Sequence, residues 1–117
     1  MSNVYDKAHE MKRTLGESDE FKQLKALHEQ IEGDEAAKTL LDSFRQLQLQ
    51  LQQKQMQGMQ ITEEEAIKAQ QQFELVQQNE LVSKLMEAEQ QLSTIIGDIN
   101  KIITEPLEEI YGALENQ

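Results

Sequence analysis

No residue of this chain is cysteine and none is tryptophan. The first absence excludes disulfides, thiolate metal sites, thiol catalysis and cysteine-ligated iron–sulfur clusters. The second, with only three Phe and two Tyr, leaves the core to Leu, Ile, Met and Ala. That composition fits a helix bundle whose core a partner subunit completes. No apolar run approaches the roughly 20 residues that a membrane helix needs. The start, Met1-Ser2-Asn3-Val4-Tyr5-Asp6-Lys7, lacks the apolar h-region of a secretory signal, so a cytoplasmic protein is the simplest reading. Positive charge is also scarce: 11 Lys and Arg stand against 22 Asp and Glu, a formal net of −11. Such a chain is repelled by phosphate backbones and anionic lipid surfaces, so neither direct nucleic-acid binding nor membrane binding is expected. Lys7, Lys12, Arg13, Lys22 and Lys25 cluster near the start and read as a solvated face of mixed charge.

What is present is helical periodicity. In Leu81–Ile103 the residues Leu81, Leu85, Ala88, Leu92, Ile95, Ile99 and Ile102 recur at alternating spacings of four and three. Only a helix puts those side chains in one line, and the heptad seam they make is a candidate packing seam or subunit interface. Val82, Ile96 and Ile103 widen it into a stripe. It runs about 33 Å, and a stripe of that length must be covered by other helices, from this chain or from a second copy.

The 117 residues read as one domain, 1–117, with helices at about 3–15, 19–32, 35–57, 63–78, 80–104 and 106–115. Gly16 suits the left-handed residue that ends the first helix, Ser18 caps the second, Gly33 stops it and Asp34 caps the third. His28 reads as a half-buried member of the second helix's stripe. Gln46–Gln52 alternates Leu and Gln with the period of a strand. Leu and Gln are good helix formers without a β-branch, however, and the spacing of four and three runs into the segment, so helix is the reading. Leu49 then faces away from Leu47 and Leu51, a second apolar face that points to a second contact.

Gln57-Gly58-Met59-Gln60 is a tight reversal. Thr62-x-x-Glu65 follows as a capping box with Ile61 before it, so the third and fourth helices form an antiparallel hairpin. Met56 and Met59 flank the turn as adaptable apolar groups and, with Leu49, are candidate partner contacts. The stripe of the fourth helix (Ala66, Ala69, Phe73, Val76) resumes one residue late at Leu81, which calls for a break near Gln78–Asn79. Gly97 lies opposite the seam, either as a close approach or as an exposed, tolerated glycine. Pro106 is expected to start a short sixth helix, with Leu107, Ile110 and Leu114 folding back onto the seam. The fold class is therefore all-α: a helical hairpin plus a long C-terminal helix, five to six helices, bundle-like and completed by oligomerisation, with a dimer the first expectation.

The chemistry-bearing residues are few. Asp6-x-x-His9 and His28-x-x-x-Glu32 each put two ligands on one helix face, whereas a metal site needs three or four. No Gly-rich phosphate loop, nucleophile elbow or strand–turn–helix unit is present in the sequence. Acidic pairs such as Glu63-Glu64-Glu65 suit helix first turns. The reading is of a non-enzyme without cofactor, metal or small-molecule substrate.

Two stretches carry a family resemblance: Phe44-Arg45-Gln46-Leu47-Gln48-Leu49-Gln50-Leu51-Gln52-Gln53-Lys54-Gln55-Met56 and Leu85-Met86-Glu87-Ala88-Glu89-Gln90-Gln91-Leu92. With Ile102-Ile103 and Pro106-Leu107-Glu108-Glu109-Ile110-Tyr111-Gly112 behind them, the chain resembles the YheA-like branch of the YlbF/YmcA family. The resemblance implies a small, helical, oligomerising cytoplasmic protein of Gram-positive bacteria. Better known relatives act as regulatory partners of an RNA-processing endonuclease, and they are linked to cysteine-ligated iron–sulfur clusters. A chain without Cys cannot hold such a cluster.

The functional expectation is a non-catalytic adaptor that regulates through protein–protein contacts, in RNA processing or developmental control. The alternative is a holdase-like chaperone using a Met- and Gln-rich tip, although Gly58–Ile61 is too short for the strands of a prefoldin plan. A metal-dependent enzyme is the third reading.

Overall fold

Short polar caps cut the described residues into five helices: α1 (Val4–Glu17), α2 (Asp19–Glu32), α3 (Glu35–Met56), α4 (Glu63–Gln78) and α5 (Glu80–Glu115). The structure, a computed structural model, describes residues 3–115, and among them there is no strand. The Leu–Gln alternation of Gln46–Gln52 lies wholly inside α3.

Each boundary has a local cause. Asn3, Ser18, Asp34, Thr62 and Asn79 each accept, through a side-chain oxygen, a backbone N–H three residues on, which satisfies one of the orphan donors of a helix start. Asn79 sits in extended backbone between α4 and α5 and accepts from the Val82 N–H at 3.0 Å. The phase slip in the apolar stripe is thus absorbed at one residue. Gly58, at φ 74°, is the left-handed residue of the α3–α4 turn, a conformation that glycine adopts without a Cβ penalty.

Three expectations need correction. Gly16 does not end α1, which continues to Glu17. Ser18 alone closes one helix and opens the next: its hydroxyl donates to the Leu15 carbonyl at 2.6 Å and accepts from the Phe21 N–H at 3.2 Å. With the last turn satisfied in this way, no left-handed residue is required. Pro106 does not start a sixth helix either; it lies inside α5, which runs unbroken for 36 residues. Leu107 and Ile110 therefore do not fold back and are exposed, while the Leu114 side chain lies outside the described residues. Finally, His28 is exposed and not half-buried.

The core gathers where four helices meet. Leu27 and Ile31 of α2, Ala37, Leu41 and Phe44 of α3, Val76 of α4, and Val82, Leu85 and Ala88 of α5 form one cluster with no buried polar or charged residue among them. α3 and α4 run antiparallel, with the Phe44 and Phe73 ring centroids 6.4 Å apart. The two are tied near the turn by Lys54 Nζ to Glu65 Oε1 at 2.5 Å. Arg45 of α3 reaches Glu89 of α5 at 2.5 Å, and Lys38 of α3 reaches Glu32 of α2 at 3.0 Å.

Beyond that junction the chain opens into arms. α1, the hairpin tip and the second half of α5 all project from it. The radius of gyration is 19.1 Å and the extents are 52 × 40 × 19 Å, against about 13 Å for the radius of a compact chain of this length. The accessible surface of 9469 Å² exceeds the roughly 6,500 Å² expected of a compact 13.5 kDa monomer.

The capping box makes a pH-dependent contribution. The Lys54 ammonium hydrogen-bonded to Glu65, joined by the Thr62 backbone N–H and hydroxyl, lowers the Glu65 carboxyl from 4.5 to about 2. A carboxyl lowered in the folded state adds stability that is complete above its unfolded value and is lost as pH falls through the folded one. Glu65→Gln should accordingly lower the melting temperature at pH 7. The gap to the parent protein should narrow from pH 4.5 towards pH 2. A gap unchanged over that interval in thermal melts followed by circular dichroism would refute the assignment.

Candidate functional site

Among the described residues no three His, Cys, Asp or Glu converge as a ligand set. His9 and His28 are both exposed, one on α1 and one on α2. No described helix is long and apolar enough to cross a membrane. What the fold presents is apolar surface, in three places.

The first is the seam of α5. Leu85 and Ala88 are buried in the core, and Leu81, Leu92, Ile95 and Ile99 are half-buried. Ile102 is 62% exposed. Past it the stripe continues through Ile103, Leu107, Ile110 and Tyr111, all exposed. The gradient follows from length. α2, the antiparallel neighbour of α5, has 14 residues and spans about 21 Å, so its cover runs out over Ile95–Ile99. Gly97 lies opposite the seam with nothing within 4 Å of a Cβ built there, so it is an exposed, tolerated glycine and not a close approach.

The second is the hairpin tip. Leu49 is 55% exposed, Met56 80% and Met59 53%, with Ile61 beside them. The three sequence-read partner contacts therefore share one arm, but Leu49 sits two turns of α3 below Met56. The third surface was not singled out from sequence. A groove of about 460 Å³ lies between α2, α3 and α5, floored by Phe21, Leu24 and Leu85 and rimmed by Lys25, His28, Glu29 and the Arg45–Glu89 pair. A shallower depression of about 250 Å³ prolongs it along Leu24, Leu92 and Ile96. The sequence signal for the groove was Phe21, the only aromatic of α2, on the edge of that helix's stripe.

Comparisons with known proteins agree with this architecture. The profile of the family described as "Control of competence regulator ComK, YlbF/YmcA" matches residues 4–108. A UPF0342 protein of Alkalihalophilus pseudofirmus is 76% identical over 117 residues, covering 100% of this chain and 99% of its own. The UPF0342 protein YheA of Bacillus subtilis is 51% identical over 113 residues, 97% of each chain. Among solved structures, a protein of unknown function (DUF964) from Bacillus stearothermophilus superposes with a TM-score of 0.84 at 36% identity, over 92% of this chain and 95% of that one. The structure of yheA from Bacillus subtilis does so with a TM-score of 0.73 at 42% identity, over 94% and 100%.

Proposed function

The chain belongs to the YlbF/YmcA family, and from that membership we propose that it is a non-catalytic helical adaptor that regulates by contact with another protein. The observation that carries the reading is the apolar hairpin tip. Met56 and Met59 stand in solvent at the tip, with Leu49 exposed lower on the same arm, and exposed apolar side chains on a projecting element mark contact surfaces. Methionine suits the task because its unbranched, polarisable side chain adapts to differently shaped partners. The acidic chain favours a protein partner over a nucleic acid. The family's description, control of a competence regulator, supports a developmental setting, and the RNA-processing role of better known relatives is the more specific form of that proposal.

Crosslinking in the native cells followed by mass spectrometry tests it. One recurring protein should crosslink through the tip, and Met56→Asp with Met59→Asp should remove that crosslink while leaving helical content unchanged. An identical crosslink pattern in the double variant would overturn the proposal. The holdase alternative would use the same two methionines. It predicts many weakly crosslinked chains instead of one, and suppression of a client protein's aggregation by the purified chain.

A further inference from the structure

We propose that Met56 and Met59 form a methionine oxidation site that switches the hairpin tip from an apolar to a polar surface; its consequence for a partner rests on the adaptor reading above. A chain without cysteine has no thiolate to meet a peroxide first, so its thioethers are the only sulfur an oxidant finds. Four of the five methionines lie in the described residues. Met56 is 80% exposed, Met59 53% and Met11 43%, whereas Met86 is half-buried and packs against the core cluster. The two most open methionines thus flank one turn, and the one that supports the core is shielded.

The chemistry is a two-electron oxygen transfer. A thioether sulfur attacks one oxygen of hydrogen peroxide, the S–O bond forms as the O–O bond breaks, and after a proton shift the second oxygen leaves as water. Sulfur is oxidised to the sulfoxide and the peroxide is reduced. A methionine sulfoxide reductase reverses the step with a dithiol, which ends as a disulfide while the oxygen departs as water. No neighbouring side chain has to assist, so exposure sets the order in which the methionines react.

The fold tolerates the change at this place. Met56 is the last residue of α3, and Met59 serves the turn through its backbone N–H, which donates to the Lys54 carbonyl at 2.9 Å. Gly58, the Thr62–Glu65 capping box and Lys54 hold the hairpin, and none of them uses a thioether. A sulfoxide oxygen at either position is solvated in the free chain. Against an apolar partner it must shed that water without gaining a donor, a loss on the order of tenfold in affinity for each sulfoxide. Oxidation therefore removes the contact and leaves the helices in place.

Hydrogen peroxide on the purified chain, followed by peptide mass spectrometry, should add one oxygen to Met56 and Met59 first and to Met11 next. Met86 should react about an order of magnitude more slowly, through local opening. The oxidised chain should keep the parental melting temperature and leave a phenyl hydrophobic-interaction column earlier. Met56→Leu with Met59→Leu keeps the apolar surface and takes up no oxygen there, so most of that shift in retention should vanish. In the native cells, peroxide should abolish the tip crosslink of the parent chain and spare that of the leucine variant. Oxidation of Met86 as fast as of Met56, a lowered melting temperature, a retention shift undiminished in the leucine variant, or equal loss of the crosslink from both chains would overturn the site. A parent chain with no tip crosslink before peroxide would end the adaptor reading alone, since oxidation order and column retention decide the site without a partner.

Discussion

Leu85→Asp is expected to leave this chain without a cooperative thermal transition. Leu85 is 0% exposed and belongs to the cluster that joins α2, α3, α4 and α5. Removing a buried leucine side chain costs about 2–5 kcal/mol through lost transfer energy and the cavity left behind. The aspartate adds the penalty of a carboxylate with no partner, because no buried polar or charged residue lies in the core to receive it. Domains of this kind hold only about 5–15 kcal/mol in total, and an open chain with surplus surface sits near the lower end. Circular dichroism at 222 nm should show reduced helicity at 25 °C and a broad, non-sigmoidal melt. A sharp transition within a few degrees of the parent protein would mean that Leu85 is not buried as described.

Pro106→Ala should strengthen the distal half of α5. Proline in a helix interior removes one N–H, leaves the Ile102 carbonyl without its acceptor role and clashes with the preceding turn, a cost of about 3 kcal/mol relative to alanine. That cost is not offset by burial, since Leu107, Ile110 and Tyr111 around it are exposed. Amide exchange from Ile102 to Gly112 should therefore slow by up to about two orders of magnitude in the variant. The melting temperature should scarcely move, because the core cluster ends at Ala88, well before this segment. Exchange rates unchanged from those of the parent protein would refute an unbroken α5 through Pro106.

These two residues mark where local reading holds and where it stops. Spacing alone assigns Leu85 to a buried row, and it is enough because the 3.6-residue period is a property of the chain itself. Pro106 departs from expectation because a proline at the first turn of a new helix and one inside a continuing helix look alike in sequence. The two cases differ in whether residues 103–105 leave helical backbone, and no side chain there announces it. Gly16 failed for a similar reason. A glycine near a helix end favours the left-handed cap without requiring it, and Ser18, two positions later, satisfied both helices. By contrast Asn79, Thr62 and Glu65 were legible, since each cap is a bond between residues three apart.

The candidate surfaces divide along the same line. Leu49, Met56 and Met59 are legible because Leu49 lies off the face of α3 that carries the apolar spacing of four and three, and Met56 and Met59 flank a turn. The groove over Phe21, Leu24 and Leu85 is not, because it is made of three helices far apart in sequence. Periodicity and capping chemistry were sufficient for the all-helical class, the position of nearly every helix and the apolar side of α5, since each depends on contacts within one turn. Which stretch of that apolar side is shielded was a matter of assembly. It rests on where α2 lies and on its 14-residue length, and those are relations between distant segments that only the packed chain brings about.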